Sequence, residues 1–148
     1  LLVLALGVLA NEVVAGYRAL GHDVTLELRA EPMLQVPEMT VRRVLDNLLG
    51  NAVEHGRPPI AVLIEWRPDH RLALSVSDHG DGIPERLESE ARSPFVKLDR
   101  ARGTTGCGLG LAIVQQLVSR VGGELSFLRE AGRFTVVATV RLQRNNSQ

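Results

Sequence analysis

The chain contains one cysteine, Cys107, which excludes an internal disulfide framework and any clustered thiolate metal site. It contains one lysine, Lys97, so the Gly-Lys-Ser/Thr ending of a P-loop is nowhere present. It has no excess of either charge: Lys plus Arg and Asp plus Glu both total 17, so no global field draws it to nucleic acid or to an anionic membrane, and any anion it binds must be held locally. It has no long apolar run. The opening LLVLALGVLA is too short to cross a bilayer and lacks the basic leader of a signal peptide. Internal repeats and interdomain linkers are likewise missing. A start without Met, in the middle of an apolar pattern, is expected of a piece cut from a longer protein whose upstream part carries targeting signals or membrane spans.

What is present suits one domain over residues 1–148. A chain of 148 residues buries roughly 70 % of its unfolded surface, enough for a real core. Its 45 % hydrophobic and 23 % charged content are those of an ordinary soluble globular protein.

The strongest periodic signal is TVRRVLDNLLGNAVEHG. Val41, Val44, Leu45, Leu48, Leu49 and Ala52 recur at three- and four-residue steps, the stripe of a helix laid on a core. Asn47, Asn51 and Glu54 fall along one edge of that stripe. Asn prefers caps and turns to helix interiors, so two of them one turn apart suggest either a pocket lining or a half-solvated flank.

Around this helix, Leu1 to Leu6 reads as a short strand. Leu6, Leu9, Ala10, Val13, Tyr17 and Leu20 read as a helix stopped by Gly21. DVTLELR alternates as a half-buried strand, and Pro37 is placed to start the central helix. Ile60 to Trp66 and Leu72 to Val76 form a hairpin across RPDHR. Residues 84 to 105 lose periodicity and form a long charged loop of the kind that covers a functional site. A helix returns from Gly106 to Val121, and Glu124 to Leu128 with Phe134 to Leu142 closes the chain as a second hairpin. Three helices with five or more strands, joined by hairpins and not by strict βαβ alternation, predict a two-layer α/β sandwich with a mixed sheet.

Two glycine-rich segments carry chemistry. In DHGDGIP, Asp78 at a strand end offers a fixed acceptor to a donor-rich edge such as the exocyclic amine of adenine. Gly80 and Gly82 let the backbone approach a ligand, and Ile83 supplies an apolar wall. Alone, this segment is equally a plain Asp-Gly turn. GTTGCGLGLAIV opens a helix whose exposed N–H groups and positive dipole end attract phosphate. A charged loop precedes it where a Rossmann turn would require a strand.

Taken together, NLLGNAVEHG, DHGDGIP, PFVKLDRAR and GCGLGLAIVQQLV resemble the N, G1, F and G2 boxes of sensor histidine kinase catalytic domains, in the superfamily shared with gyrase, Hsp90 and MutL. The resemblance covers nearly the whole chain, and its loop spacing is similar to the EnvZ-like members. It implies a Bergerat-type ATP-binding fold, with a mixed, mostly antiparallel sheet on three helices and residues 84–105 as an ATP lid. It also implies adenine at Asp78 and Mg²⁺ at Asn51, whose neutral carbonyl oxygen is a hard ligand while waters and phosphates fill the other positions. Asn47 stands where hydrolytic relatives carry a water-activating glutamate. A neutral imidazole, with a pKa near 6.5, needs no such base, so Asn47 favours transfer to histidine over hydrolysis. The remaining implied ATP contacts are Gly80, Gly82, Ile83, the lid residues Lys97, Arg100, Arg102 and Thr105, and the phosphate loop of Gly106, Cys107, Gly108, Leu109, Gly110 and Leu111. Phe95 would anchor the lid.

Two features depart from the family pattern. Glu54 and His55 replace the usual basic and aromatic residues, and a carboxylate near triphosphate repels it unless a cation intervenes; His55 retains a ring able to stack on the base. No histidine has the helical His-Glu/Asp setting of the phosphoacceptor, which the family places in a preceding dimerisation domain. The implied partners are therefore ATP and ADP, that acceptor domain and a response-regulator receiver domain. Nucleic acid is not among them. The implied location is the cytoplasmic side of an inner-membrane sensor, with this piece itself outside the membrane. The alternatives are a degenerate binding module weakened by Glu54, or an ATPase of the gyrase and Hsp90 kind.

Overall fold

The computed structural model describes residues 2–84, 88 and 107–142. Strand β1 (Val3–Ala5) leads directly into α1 (Leu6–Ala19) and pairs antiparallel with β3 (Gln35–Pro37) as a small separate sheet. The main sheet contains β2 (Val24–Arg29), β4 (Ile60–Arg67), β5 (Arg71–Asp78), β6 (Leu125–Glu130) and β7 (Arg133–Arg141), in the order β2-β4-β5-β7-β6. Only β2 and β4 run parallel; the other pairs are antiparallel, giving the expected mixed sheet. Two further helices are described, α2 (Glu38–His55) and α3 (Cys107–Arg120).

Period-two alternation decides which face of the sheet is covered. The cross-strand partners Val62 and Val76, Ile64 and Leu74, Leu74 and Ala138, and Leu72 and Val140 all join the apolar core with residues from the helices. On α2 that core takes in Val41, Val44, Leu45, Leu48, Leu49 and Ala52, the whole predicted stripe. Lying between β4 and β7, β5 is the middle strand and is buried along nearly its entire length.

The elements differ from the sequence reading at their edges. Leu6 is the first residue of α1, not the last of a strand, and Leu20, assigned to the α1 stripe, is 76 % exposed because the helix ends at Ala19. Pro37 ends β3 and caps α2 from outside with an extended ψ of 113°, so the first helical residue is Glu38. The helix read over Gly106 to Val121 is described from Cys107 to Arg120, with Gly108 and Gly110 inside it.

Candidate functional site

The ends of three elements meet because the connections between them are short. Residues 56–59 separate α2 from β4, so the end of α2 must lie beside the start of β4. Across the ladder Ala61 faces Ser77, which puts the end of α2 next to the end of β5. Asp78 is the last residue of β5, paired with Phe134 on β7.

The carboxylate of Asp78 is 5 % exposed and packs against Gly56, the C-cap of α2. A Cβ at Gly56 would lie 2.3 Å from Asp78 Cγ, and one at Gly80 would lie 2.9 Å from its Oδ1, so both glycines are needed for the side chain to sit here. Asp78 Oδ1 accepts the backbone N–H of Gly80 at 2.6 Å and, at 3.4 Å, that of Arg57. The N–H of His79 donates to the Arg57 carbonyl at 2.9 Å, which ties the two chain segments together. Oδ2 has no hydrogen-bond partner among the described residues. None of their fully buried side-chain oxygens is left unsatisfied, so Oδ2 retains solvent access. The result is a rigidly held carboxylate with one oxygen free for a donor.

On α2, Asn47 and Asn51 stand one turn apart and are half-buried. Asn47 Nδ2 donates to the Arg43 carbonyl at 2.8 Å, and its Oδ1 lies 3.6 Å from where a Cβ of Gly110 on α3 would be. This close approach joins the asparagine edge of α2 to the first turn of α3. The Asn51 amide has no side-chain partner among the described residues, a free neutral oxygen of the kind a hard cation accepts. No cluster of three His, Cys, Asp or Glu able to hold a metal occurs among the described residues.

Glu54 and His55 close α2 on its exposed side, with His55 Nε2 at 3.2 Å from Glu54 Oε1. The carboxylate therefore has an imidazole neighbour, which the sequence reading did not foresee. Ile83 joins the apolar core, while Gly82 has φ +75° and lies so close to Phe134 that a Cβ would reach 2.4 Å from its Cδ1. Leu111 is fully buried, so only its backbone can face a ligand. Cys107, Gly108 and Leu109 are placed as the first helical residues of α3. Lys97, Arg100, Arg102, Thr105, Gly106 and Phe95 lie outside the described residues.

Sequence reasoning missed two contributors. Gly56 was read only as the end of a helix, and the Asp78 contact that requires it is made 22 residues further on. Arg129 was read as part of a hairpin, yet its guanidinium donates to the Ile83 carbonyl and the Glu88 carboxylate. Neither contact leaves a local periodic signal.

The fold agrees with comparison to known proteins. A family model for histidine kinase-, DNA gyrase B-, and HSP90-like ATPases matches residues 37–145. The chain is 37 % identical over 115 residues to the sensor histidine kinase component HK1 of Mycobacterium tuberculosis, across 78 % of this chain and 68 % of that protein. It resembles the solution structure of the histidine kinase domain of the E. coli osmosensor EnvZ with a TM-score of 0.70 at 27 % identity, over 99 % of this chain and 91 % of that one. It shares its fold with full-length ShkA, solved in complex with AMPPNP, at a TM-score of 0.73 and 23 % identity; the match covers 93 % of this chain but 30 % of ShkA. The chain belongs to the family of histidine kinase-, DNA gyrase B- and HSP90-like ATPases, and within it to the catalytic domains of sensor histidine kinases.

Proposed function

We propose that this chain holds Mg²⁺-ATP between α2, the end of β5 and the start of α3, and transfers the γ-phosphoryl to a histidine on a separate dimerisation and phosphoacceptor domain. From there the phosphoryl passes to an aspartate of a response-regulator receiver domain. The parent is a membrane sensor, and residues 1–148 form a single catalytic domain on its cytoplasmic side. Among the described residues, no helix is long and apolar enough to cross a membrane.

The observation that carries the reading is Asp78: a side chain 5 % exposed, fixed through Oδ1 and open at Oδ2, packed against the C-cap of the helix bearing Asn47 and Asn51. Oδ2 receives the adenine amine, with Gly80, Gly82 and Ile83 forming the wall beside it. Asn51 offers its amide oxygen to Mg²⁺, which neutralises phosphate charge when bound. Asn47 borders the phosphates without supplying a base. Phosphoryl transfer through a loose transition state depends chiefly on positioning and on charge stabilisation. The backbone N–H groups of Gly106 and of the start of α3, from Cys107 to Leu111, together with Lys97, Arg100, Arg102 and Thr105, supply the remaining donors. His55 supplies a ring able to stack on the base.

The test is to supply a purified acceptor domain with labelled ATP, using the wild-type chain and the Asn51→Ala and Asp78→Asn variants. A hydrogen bond to a charged group contributes about 1.5–3 kcal/mol. Asp78→Asn should therefore weaken nucleotide binding about tenfold or more. Phosphohistidine that survives both changes would overturn the assignment.

One observation favours a second reading. Glu54, in the last turn of α2, puts a carboxylate with the His55 imidazole beside it where the family usually carries a basic residue, the arrangement expected of a binding module that has lost productive ATP affinity. Calorimetric titration separates the two, since the module gives no heat with an ATP analogue and Mg²⁺ at millimolar concentration. An ATPase would release phosphate steadily without an acceptor, and Asn47 in place of a glutamate opposes it.

A further inference from the structure

Phe134, the β7 residue paired with Asp78, is the platform on which the exit from the DHGDGIP turn is built. Phe127 stacks against its ring with centroids 5.9 Å apart, and Arg129 Cζ lies 5.1 Å from the ring centroid. Gly82, with φ +75°, lies so close to the same ring that a Cβ would reach 2.4 Å from Phe134 Cδ1. The Arg129 guanidinium then reaches beyond the ring. Nη2 donates to the Ile83 carbonyl, and Nη1 to the carboxylate of Glu88, whose side chain is only 12 % exposed. Glu88 in turn donates its own N–H to the Pro84 carbonyl at 3.2 Å.

An exposed ion pair on a sheet edge would contribute little. Here a planar group with several donors serves a carbonyl, a mostly buried carboxylate and an aromatic face at once. A lysine ammonium lacks that geometry. Because the contacts fall on Ile83 and Glu88, they fix where the chain goes after Asp78.

We infer that Arg129 is a positioning residue for the nucleotide site, holding Gly82 and Ile83 at the distance from Asp78 that the base requires. The inference rests on the function proposed above. Arg129 touches no reacting atom; it acts through the Ile83 carbonyl and Glu88.

Two measurements test it. Amide hydrogen exchange without nucleotide reads the clamp itself: Arg129→Ala should speed exchange at Glu88 and Gly80 by roughly tenfold while the β5 ladder stays protected. Calorimetry with an ATP analogue and Mg²⁺ reads the consequence. Arg129→Ala and Glu88→Gln should each weaken binding by roughly three- to tenfold, and the double variant should be little worse than the single ones, as expected for one shared interaction. Arg129→Lys should recover only a minor part, which a role of charge alone would not explain. Should Arg129→Ala fail to fold, Glu88→Gln and Arg129→Lys carry the same test.

Unchanged exchange at Glu88 and Gly80 would overturn the clamp. Altered exchange with nucleotide affinity within twofold of wild type would overturn its positioning role. A wild-type chain that binds no analogue would instead end the nucleotide reading and this role with it, while the exchange data would still judge the clamp.

Discussion

Glycine and aspartate decide the site at the residue scale. Gly56 has φ −96° and ψ −162°, a backbone any residue adopts, so its requirement is purely one of space. A methyl group there would collide with Asp78 Cγ. Gly56→Ala is expected to cost about 1–3 kcal/mol, as overpacking does. It should also weaken analogue binding about tenfold, because Asp78 is the group that must move. Urea unfolding and calorimetry measure both, and an affinity equal to wild type would show that Asp78 does not bind the base. Gly16 provides the opposite case. It sits exposed in α1, and an added methyl group would meet nothing within 4 Å, so Gly16→Ala should stabilise the chain by about 0.5–1 kcal/mol through helix propensity. Asp78 was legible in the sequence because a strand-end aspartate before two alternate glycines is a local pattern. Gly56 was not, because its reason for being glycine is a contact with a distant residue.

Legibility at the scale of elements followed the same division. The α2 stripe was read in full because a helix writes its burial at a fixed period, and each of its six apolar positions is buried. The sequence reading assigned no strand to the residues of β3. This strand is three residues long, too short for alternation to show, and it exists by pairing with β1 some thirty residues earlier. The parallel pairing of β2 with β4 was also hidden, since direction depends on the path taken through α2 and not on either strand's own residues.

The contact between α1 and α2 carries a pH prediction. Tyr17 Oη donates to the Asp46 carbonyl at 3.1 Å and lies 3.5 Å from Asp46 Oδ1. Burial first, then the Asp46 charge and the hydrogen bond to it, hold the phenol above its ordinary value of 10.0. A raised folded pKa means that the protonated phenol is the form favoured by folding. Its contribution is fully present below pH 10.0 and is lost as pH rises through the folded value. The thermal midpoint of the wild type should therefore fall more steeply above pH 10.0 than that of Tyr17→Phe. The chain has one tyrosine, so phenolate absorbance reports this group alone. Identical alkaline slopes for the two proteins would refute the account.

For the whole molecule, the question is what the chain does without a partner. It spans 68 % of HK1 and 30 % of ShkA, and the function proposed above places the acceptor histidine on a separate domain. Its four histidines are placed where none resembles an acceptor on a helix followed by an acidic residue. His22 precedes β2 with its ring centroid 6.2 Å from that of Tyr17, and His70 has φ +58° in the turn between β4 and β5. His55 ends α2 beside Glu54, and His79 is tied through its N–H to the Arg57 carbonyl just after β5. Incubated alone with labelled ATP and Mg²⁺, the chain should bind nucleotide yet carry no acid-labile phosphate above background. Because Asn47 cannot activate water, phosphate release should also stay slow. Adding the acceptor domain should then produce phosphohistidine on that domain, and Asn51→Ala should reduce its rate by about a hundredfold or more, the scale of losing about 2.7 kcal/mol of transition-state stabilisation. Labelled histidine appearing on the isolated chain would place the acceptor within these residues and require a different assignment of roles to His55 and His79.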